Sequence, residues 1–124
     1  MIATIAIFLM MLGSAQADVT ALPGAHAHND YLHRRPLLDA LAHGFTSVEA
    51  DVFLVGDDLC VAHDASQIRP ERTLRSLYLN PLRRRAKDND GHIYPGLARF
   101  ILLIDLKSAA EPTYLRLHEI LAQY

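Results

Sequence analysis

Acid and imidazole side chains recur at the ends of four short apolar segments of this chain. The residues concerned are His26 and His28, Glu49 and Asp51, His63, and Asp105 with Lys107. Burying such groups inside apolar runs is costly unless they are paired with one another or bind a metal. Their recurrence therefore predicts that these side chains converge on one site.

The acidic pair Glu49 and Asp51 has the spacing of two side chains on one face of a strand. Carboxylates held this close repel each other unless a cation lies between them or one is protonated. Oxygen ligands favour Mg²⁺ or Ca²⁺ over Zn²⁺, and Asp105 is a candidate third ligand. The alternative is a pair of surface acids, but the apolar neighbours Val48 and Val52 argue against a solvated face.

His63 follows the apolar segment 59–62 and is a candidate general acid or base, since an imidazole titrates near neutral pH. A structural histidine is the alternative. His26 and His28 offer the second group that acid–base hydrolysis requires. Lys107, two residues after Asp105, would place an ammonium group near a phosphate oxygen, or would simply form an ion pair with that acid.

The pair His26 and His28 also permits a different chemistry. Two histidines separated by one residue at the end of a first strand are typical of zinc-dependent hydrolases built on barrels. A zinc hydrolase using His26 and His28 therefore remains a competing hypothesis.

The pattern of apolar residues predicts the elements that position these groups. Strands are predicted over 21–28, 46–55, 59–63 and 100–106, and helices over 36–43, 72–82 and 111–124, with Pro81 ending the second helix and a loop over 87–96. The continuous apolar run 100–106 is typical of a strand buried on both faces. Strands alternating with helices predict an α/β fold with a mainly parallel sheet, in which functional groups gather at the carboxyl ends of the strands.

The charge balance narrows the class of partner. A formal net charge of −2 argues against nucleic acid, because binding a phosphate backbone requires a basic excess. The only basic cluster, 83–87, is expected to be a solvated helix end or loop; transient contact with anionic lipid is the alternative.

The first 17 residues have the pattern of an export signal. The segment 2–12 is almost continuously apolar, and Ala15-Gln16-Ala17 matches a small-x-small cleavage site, although no Lys or Arg precedes the apolar core. We expect cleavage after Ala17, a mature domain over 18–124, and a secreted or periplasmic protein; an uncleaved membrane anchor is the alternative. The single cysteine, Cys60, is expected to be a buried core residue.

Taken together, these motifs resemble the phospholipase C-like phosphodiesterase superfamily, which includes glycerophosphodiester phosphodiesterases, phosphatidylinositol-specific phospholipases C and sphingomyelinase D-type enzymes. The string from His26 to Tyr31, followed by Ser-Val-Glu-Ala-Asp-Val and Ala-His-Asp, is most similar to the branch containing altered inheritance of mitochondria protein 6.

The resemblance implies a metal-dependent hydrolase acting on a small-molecule or lipid phosphodiester. It implies a divalent ion held by Glu49, Asp51 and Asp105, and two catalytic histidines, of which His63 is one. His26 and His28 both fit the position of the other. Lys107 matches a lysine that follows the third acid in the family. Glycerophosphodiesterases carry Glu where this chain has Asp105, whereas sphingomyelinase D types carry Asp, so neither substrate can be carried over.

The resemblance also implies a (β/α)₈ TIM barrel, and such a barrel needs about 250 residues. The 124 residues of this sequence supply about half, so we expect the N-terminal half of a barrel, as a fragment or truncated product. A half barrel exposes a strand edge and an unfinished core. It would be marginally stable and non-catalytic unless chains associate, and the oligomeric state stays open.

Overall fold

The computed structural model describes residues 19–96 and 99–124, which form an α/β fold with one four-stranded sheet. The strands are β1 (Leu22–Ala27), β2 (Phe45–Val55), β3 (Asp58–Val61) and β4 (Ile101–Leu106). The α-helices are α1 (Leu38–Ala42), α2 (Asn80–Asp88) and α3 (Ala110–Leu121). The predicted export signal lies outside the described residues. Within them, no helix has the length and apolar character to cross a membrane.

The long strand β2 is the centre of the sheet. It pairs in parallel with β1 and β4 and antiparallel with β3. Val52 pairs with both Val61 of β3 and Leu106 of β4, so β3 and β4 lie on opposite edges of β2. Ser47 pairs with His26 of β1 and with Ile101 of β4, so β1 and β4 also lie on opposite sides of β2. The strands β1 and β3 therefore lie on the same side of β2, with β1 along its first half and β3 along its second half. The predicted mainly parallel sheet is confirmed.

The prediction that the functional groups lie at the carboxyl ends of parallel strands is wrong for Asp51. Asp51 lies in the middle of β2, not at its carboxyl end, because β2 continues to Val55 before the chain reverses at Gly56 and Asp57. A connection this short can join only antiparallel neighbours. The end of β3 therefore lies beside the middle of β2. This places His63 at the end of the sheet where β1 and β4 finish.

The helices cover one face of the sheet. Val48, Ala50 and Val52 alternate with the acids of β2, point to this face and are fully buried. Leu37, Tyr78 and Ile120 come from other parts of the chain into the same core. Cys60 is also buried, as predicted.

The opposite face of the sheet is only partly covered. Ile101 and Leu103 of β4 are 46% and 49% exposed, so the prediction that this strand is buried on both faces is wrong for this chain. Their strand neighbours on β2 are Ser47 and Glu49. The apolar side chains of β4 thus continue the same face that carries the acids.

The predicted helix over 72–82 begins later and ends later than expected. A π-helical turn over Arg75–Leu79 leads directly into α2, which continues to Asp88. Pro81 does not end the helix: it lies where the π-helical turn passes into the first turn of α2. The last turn of α2 covers the start of the predicted loop over 87–96.

The basic cluster 83–87 is the end of α2, as the sequence indicated. Two of its arginines lie over aromatic rings: Arg83 is 5.4 Å from the ring centre of Tyr124, and Arg85 is 5.3 Å from that of Tyr94. These contacts attach the helix to the chain terminus and to the loop that follows it.

Candidate active site

Three carboxylates meet on the face of the sheet that the helices leave open. Glu49 and Asp51 lie two residues apart on β2, and Asp105 of β4 is the direct strand neighbour of Asp51. One oxygen from each lies within 4.8 Å of the others. The parallel pairing of β2 with β4 thus brings the three predicted ligands together.

Asp51 is the most buried member of the group, at 1% exposure. Its Oδ2 accepts a hydrogen bond of 2.6 Å from the hydroxyl of Tyr31 and lies 3.4 Å from Lys107 Nζ and 3.4 Å from His63 Nδ1. A buried carboxylate needs such partners because its charge has lost water. Asp51 therefore connects the acids, the ammonium and the imidazole of the site.

Lys107 lies between two of the acids. Its Nζ is 2.7 Å from Asp105 Oδ2, and its backbone N–H donates to the carbonyl of Val52 at 2.9 Å. The hydrogen bond with Asp105 raises the pKa of Lys107, with a further contribution from the charge of Asp51. The ammonium therefore stays protonated at neutral pH and partly balances the three carboxylates.

The loop after β1 adds an imidazole to the acids. His28 Nδ1 lies 2.6 Å from Glu49 Oε2, and the backbone N–H of Asn29 donates to the same oxygen at 3.1 Å. Asn29 adopts a left-handed conformation (φ 50°), which asparagine tolerates better than most residues. This turn directs both groups at Glu49.

His26 lies one step further back on β1. Its Nδ1 is 2.8 Å from Ser47 Oγ, its strand neighbour on β2. Ligand atoms of His26, His28 and Glu49 lie within 4.8 Å of one another, so a second possible metal-binding group shares Glu49 with the carboxylate group. Of the two histidines, His28 is the one in direct contact with an acid of the site.

His63 reaches the site from the hairpin. The backbone N–H of Ala62 donates to the carbonyl of Asp51 at 3.3 Å, which continues the β2–β3 pairing as far as the imidazole. Nδ1 of His63 lies 3.0 Å from the Tyr31 hydroxyl, so Nε2 points away from the carboxylates. The side chain is 48% exposed.

Tyr31 is the residue of the site that sequence reasoning did not assign. Its hydroxyl lies within hydrogen-bonding distance of Asp51, His63 and Asn29 Oδ1, while its ring is buried. Burial, together with the hydrogen bond and charge of Asp51, raises the pKa of Tyr31, so the hydroxyl keeps its proton. The only sequence signal was an aromatic residue ending the polar string from His26.

Asp30 anchors the loop after β1 to the core. It is fully buried, and its Oδ2 accepts hydrogen bonds from the backbone N–H of Leu37 at 2.5 Å and from the Tyr78 hydroxyl at 2.8 Å. Burial, with the charge of Asp30, raises the pKa of Tyr78. Asp30 thereby ties the turn that carries His28 and Tyr31 to the core.

The predicted site residues are all brought to one face, around Glu49 and Asp51. Six of the seven belong to contacts within one cluster, and His26 lies at its margin. An oxygen-rich, partly buried acid group beside two imidazoles and an ammonium is suited to binding a cation and moving protons next to it.

Comparison with known proteins identifies the family. A family model described as the AIM6-like phosphodiesterase domain matches residues 14–94, more than half of the sequence. The chain belongs to the AIM6-like phosphodiesterase family. The resemblance deduced from the motifs is thereby confirmed.

The relatives of this AIM6-like chain include fungal proteins named altered inheritance of mitochondria protein 6. Those of Kluyveromyces lactis and Lachancea thermotolerans are each 48% identical over 68 residues, which is 52% of this chain and 16% of the relative. That of Saccharomyces cerevisiae (strain YJM789) is 43% identical over 67 residues, 52% of this chain and 17% of the relative. The matched part thus spans about a sixth of each relative. No solved structure matches the chain.

The AIM6-like match ends before β4. It includes Glu49, Asp51 and His63 but not Asp105 or Lys107. The pairing of β4 with β2 places Asp105 at the site, and Lys107 contacts both Asp51 and Asp105 there.

Proposed function

We propose that this AIM6-like protein hydrolyses a phosphodiester with the help of a divalent cation and two histidines. The observation that carries the proposal is the arrangement around Asp51: three carboxylates, an ammonium and two imidazoles lie on one open face of the sheet. The family, a phosphodiesterase domain, agrees with this chemistry.

The residues present fit a hard divalent cation. Glu49, Asp51 and Asp105 offer only oxygen atoms, which suits Mg²⁺ or Ca²⁺. The single ammonium of Lys107 leaves part of their negative charge unbalanced, so a cation would relieve the remaining repulsion. When bound, such an ion would neutralise charge on the phosphoryl oxygens.

The histidines would move the protons. One takes the proton from the attacking hydroxyl, which belongs to water or to a neighbouring group of the substrate, and the oxygen of that hydroxyl attacks phosphorus. The bond from phosphorus to the leaving oxygen breaks, and the second histidine protonates that oxygen. Where the substrate's own hydroxyl attacks, the product is a cyclic phosphate, which water then opens to complete the hydrolysis. We assign these roles to His63, through its exposed Nε2, and to His28, because His28 and not His26 contacts Glu49. Lys107 would assist at a phosphoryl oxygen.

The wider setting is part of the same proposal. The parallel strands β1, β2 and β4 would belong to the first half of a (β/α)₈ barrel, with the antiparallel β3 as an addition to it. This setting accounts for the exposed Ile101 and Leu103 on the acid-bearing face, because a closed barrel buries that face. The substrate would be a small-molecule or lipid phosphodiester, with transient membrane-surface contact by the basic end of α2. The export signal would place the mature protein outside the cytoplasm.

The test is hydrolysis of bis(p-nitrophenyl) phosphate by the full chain, after chelation and again with Mg²⁺, Ca²⁺ or Zn²⁺ added back. We expect turnover to return with Mg²⁺ or Ca²⁺. His63→Ala should then lower turnover by about 10²-fold or more, whereas His118→Ala, on the exposed side of α3, should not. Unchanged turnover in His63→Ala with normal folding would refute the assignment.

A second candidate function rests on the group formed by His26, His28 and Glu49. Two imidazoles and one carboxylate are a ligand set typical of a catalytic zinc site. Turnover restored by Zn²⁺ alone, and lost in His26→Ala, would favour a zinc hydrolase. Cation binding without turnover under any condition would instead favour a non-catalytic half barrel.

A further inference from the structure

A cavity lies beside His63 and Tyr31. It has a volume of about 250 Å³ and is lined by both of these residues together with His33, Gln67 and Arg72. His63 and Tyr31 therefore belong both to the cavity wall and to the acid cluster. A molecule with its phosphodiester at His63 would have one of its two arms next to this cavity.

The wall of the cavity is rich in hydrogen-bond donors. Arg72 is half-buried, and its Nη2 donates to the carbonyl of Tyr31 at 2.7 Å. No other acceptor for its guanidinium is found in 19–96 or 99–124, so most of its five N–H groups are available. The amide of Gln67 accepts from the backbone of Asp64 through Oε1, which leaves its NH₂ group to donate.

Asp51 contacts two residues of this wall, with its Oδ2 2.6 Å from the Tyr31 hydroxyl and 3.4 Å from His63 Nδ1, but it does not itself line the cavity. Among the described residues, no aspartate or glutamate lines the cavity, although Asp64 and Glu71 are close in sequence. The buried Asp30 accepts from Leu37 and Tyr78 through Oδ2, and its Oδ1 has no hydrogen-bond partner among the described residues. An arginine fork beside an amide and an imidazole, without a carboxylate, has the chemistry of an oxyanion site.

We propose that this cavity binds an anionic group on the arm of the substrate that lies next to His63, an oxyanion such as a phosphomonoester. Arg72 would hold the anion through two N–H groups, with Gln67 and His33 donating to the remaining oxygens. The inference rests on the proposed function for the position of the scissile bond. Anion binding itself can be measured without turnover.

The experiment uses the full chain, freed of divalent metal by chelation and dialysis, and follows its imidazole resonances by NMR during titration with inorganic phosphate. We expect saturable shifts at His33 and His63 and none at His118. Arg72→Gln should weaken binding by about tenfold or more, because it removes a charged donor pair, whereas Arg84→Gln, which removes an exposed cation of α2, should not. Phosphate that leaves the His33 resonance unchanged would overturn the proposal.

A second variant and a second ligand complete the test. If Arg72→Gln does not fold, Gln67→Ala, at an exposed side chain, replaces it and should weaken binding about threefold; an unaltered affinity counts against the site. Glycerol 3-phosphate should bind at least as tightly as inorganic phosphate, and its exclusion would overturn a substrate role. Phosphate binding with no hydrolysis in any metal contradicts the proposed function alone, and hydrolysis with no phosphate binding overturns the cavity assignment alone.

Discussion

The hydroxyl group of Tyr31 links the carboxylates of the candidate site to the imidazole of His63. Tyr31 Oη lies 2.6 Å from Asp51 Oδ2 and 3.0 Å from His63 Nδ1, so the same atom contacts a proposed metal ligand and a proposed proton carrier. With its proton donated to the carboxylate, the oxygen can accept from Nδ1–H. That tautomer leaves Nε2 of His63 unprotonated, as a general base requires.

Replacing Tyr31 by phenylalanine tests this linkage. Tyr31→Phe keeps the buried ring but leaves Asp51 and His63 without their shared partner. We expect the free energy of unfolding to fall by about 1–2 kcal/mol and turnover to fall by a larger factor than KM changes. Urea unfolding and steady-state kinetics measure the two effects. Tyr114→Phe, at a 59% exposed position on α3, is the matched control and should change neither; equal effects of the two variants would contradict the linkage.

The residues of the site differed in how far the sequence could predict them. Glu49 and Asp51 were found from strand spacing, because a period of two places both on one face whatever the rest of the fold does. Tyr31 and Asp30 were missed, because their roles depend on a loop whose conformation no periodicity encodes. The contact that favours His28 over His26 in the proposed mechanism likewise depends on the turn at Asn29, which brings His28 to Glu49.

At the level of elements, the short connections determine how the site is assembled. α1 ends at Ala42, and Gly44, which has φ 82°, lies two residues later and directly precedes β2. A Cβ atom at this position would collide with the carbonyl oxygen of Thr20. Gly44 is therefore required both for the left-handed end of the helix and for the close approach of the chain before β1.

Substitution of this glycine should destabilise the fold more than substitution at the hairpin. Gly44→Ala is expected to cost well over about 1 kcal/mol, because backbone strain and steric collision add. Gly56→Ala is the matched control: Gly56 also has positive φ, but a Cβ added there would meet no atom within 4 Å. Chemical unfolding of both variants gives the comparison, and an equal loss would show that the contact with Thr20 is unimportant.

The sequence predicts most of the order of the strands and helices, but it does not predict how consecutive helical segments connect or which strand faces are covered. The strand β2 and the parallel pairing followed from β-branched runs alternating with helical segments. The prediction that Pro81 ends a helix is wrong because a proline can either end one helical segment or begin the next. The π-helical turn before α2 decides between these, and the sequence pattern does not specify such a turn. The exposure of β4 could not be read from its apolar run, since the run does not specify what covers each face.

For the molecule as a whole, cation binding should be coupled to stability. Glu49, Asp51 and Asp105 approach one another only in the folded chain, so a cation that they hold stabilises that state, by about 2.7 kcal/mol at a hundred times its Kd. Mg²⁺ or Ca²⁺ should therefore raise Tm in a concentration-dependent way, and chelation should reverse the shift. Asp105→Asn should abolish most of the shift, and Asp88→Asn, at the end of α2, should preserve it; a shift that survives Asp105→Asn would place the cation elsewhere.

The open face of the sheet should also govern how chains associate. Ile101 and Leu103 expose apolar surface beside the acids, and β4 has only β2 as a partner among the described strands. An unpaired edge next to an apolar face favours contact between copies. We expect self-association that increases with protein concentration in sedimentation velocity. Replacing both residues by lysine should shift the chain towards monomer, whereas Leu38→Lys, at a similarly exposed position on α1, should not; association that is the same in both variants would mean that another surface is responsible.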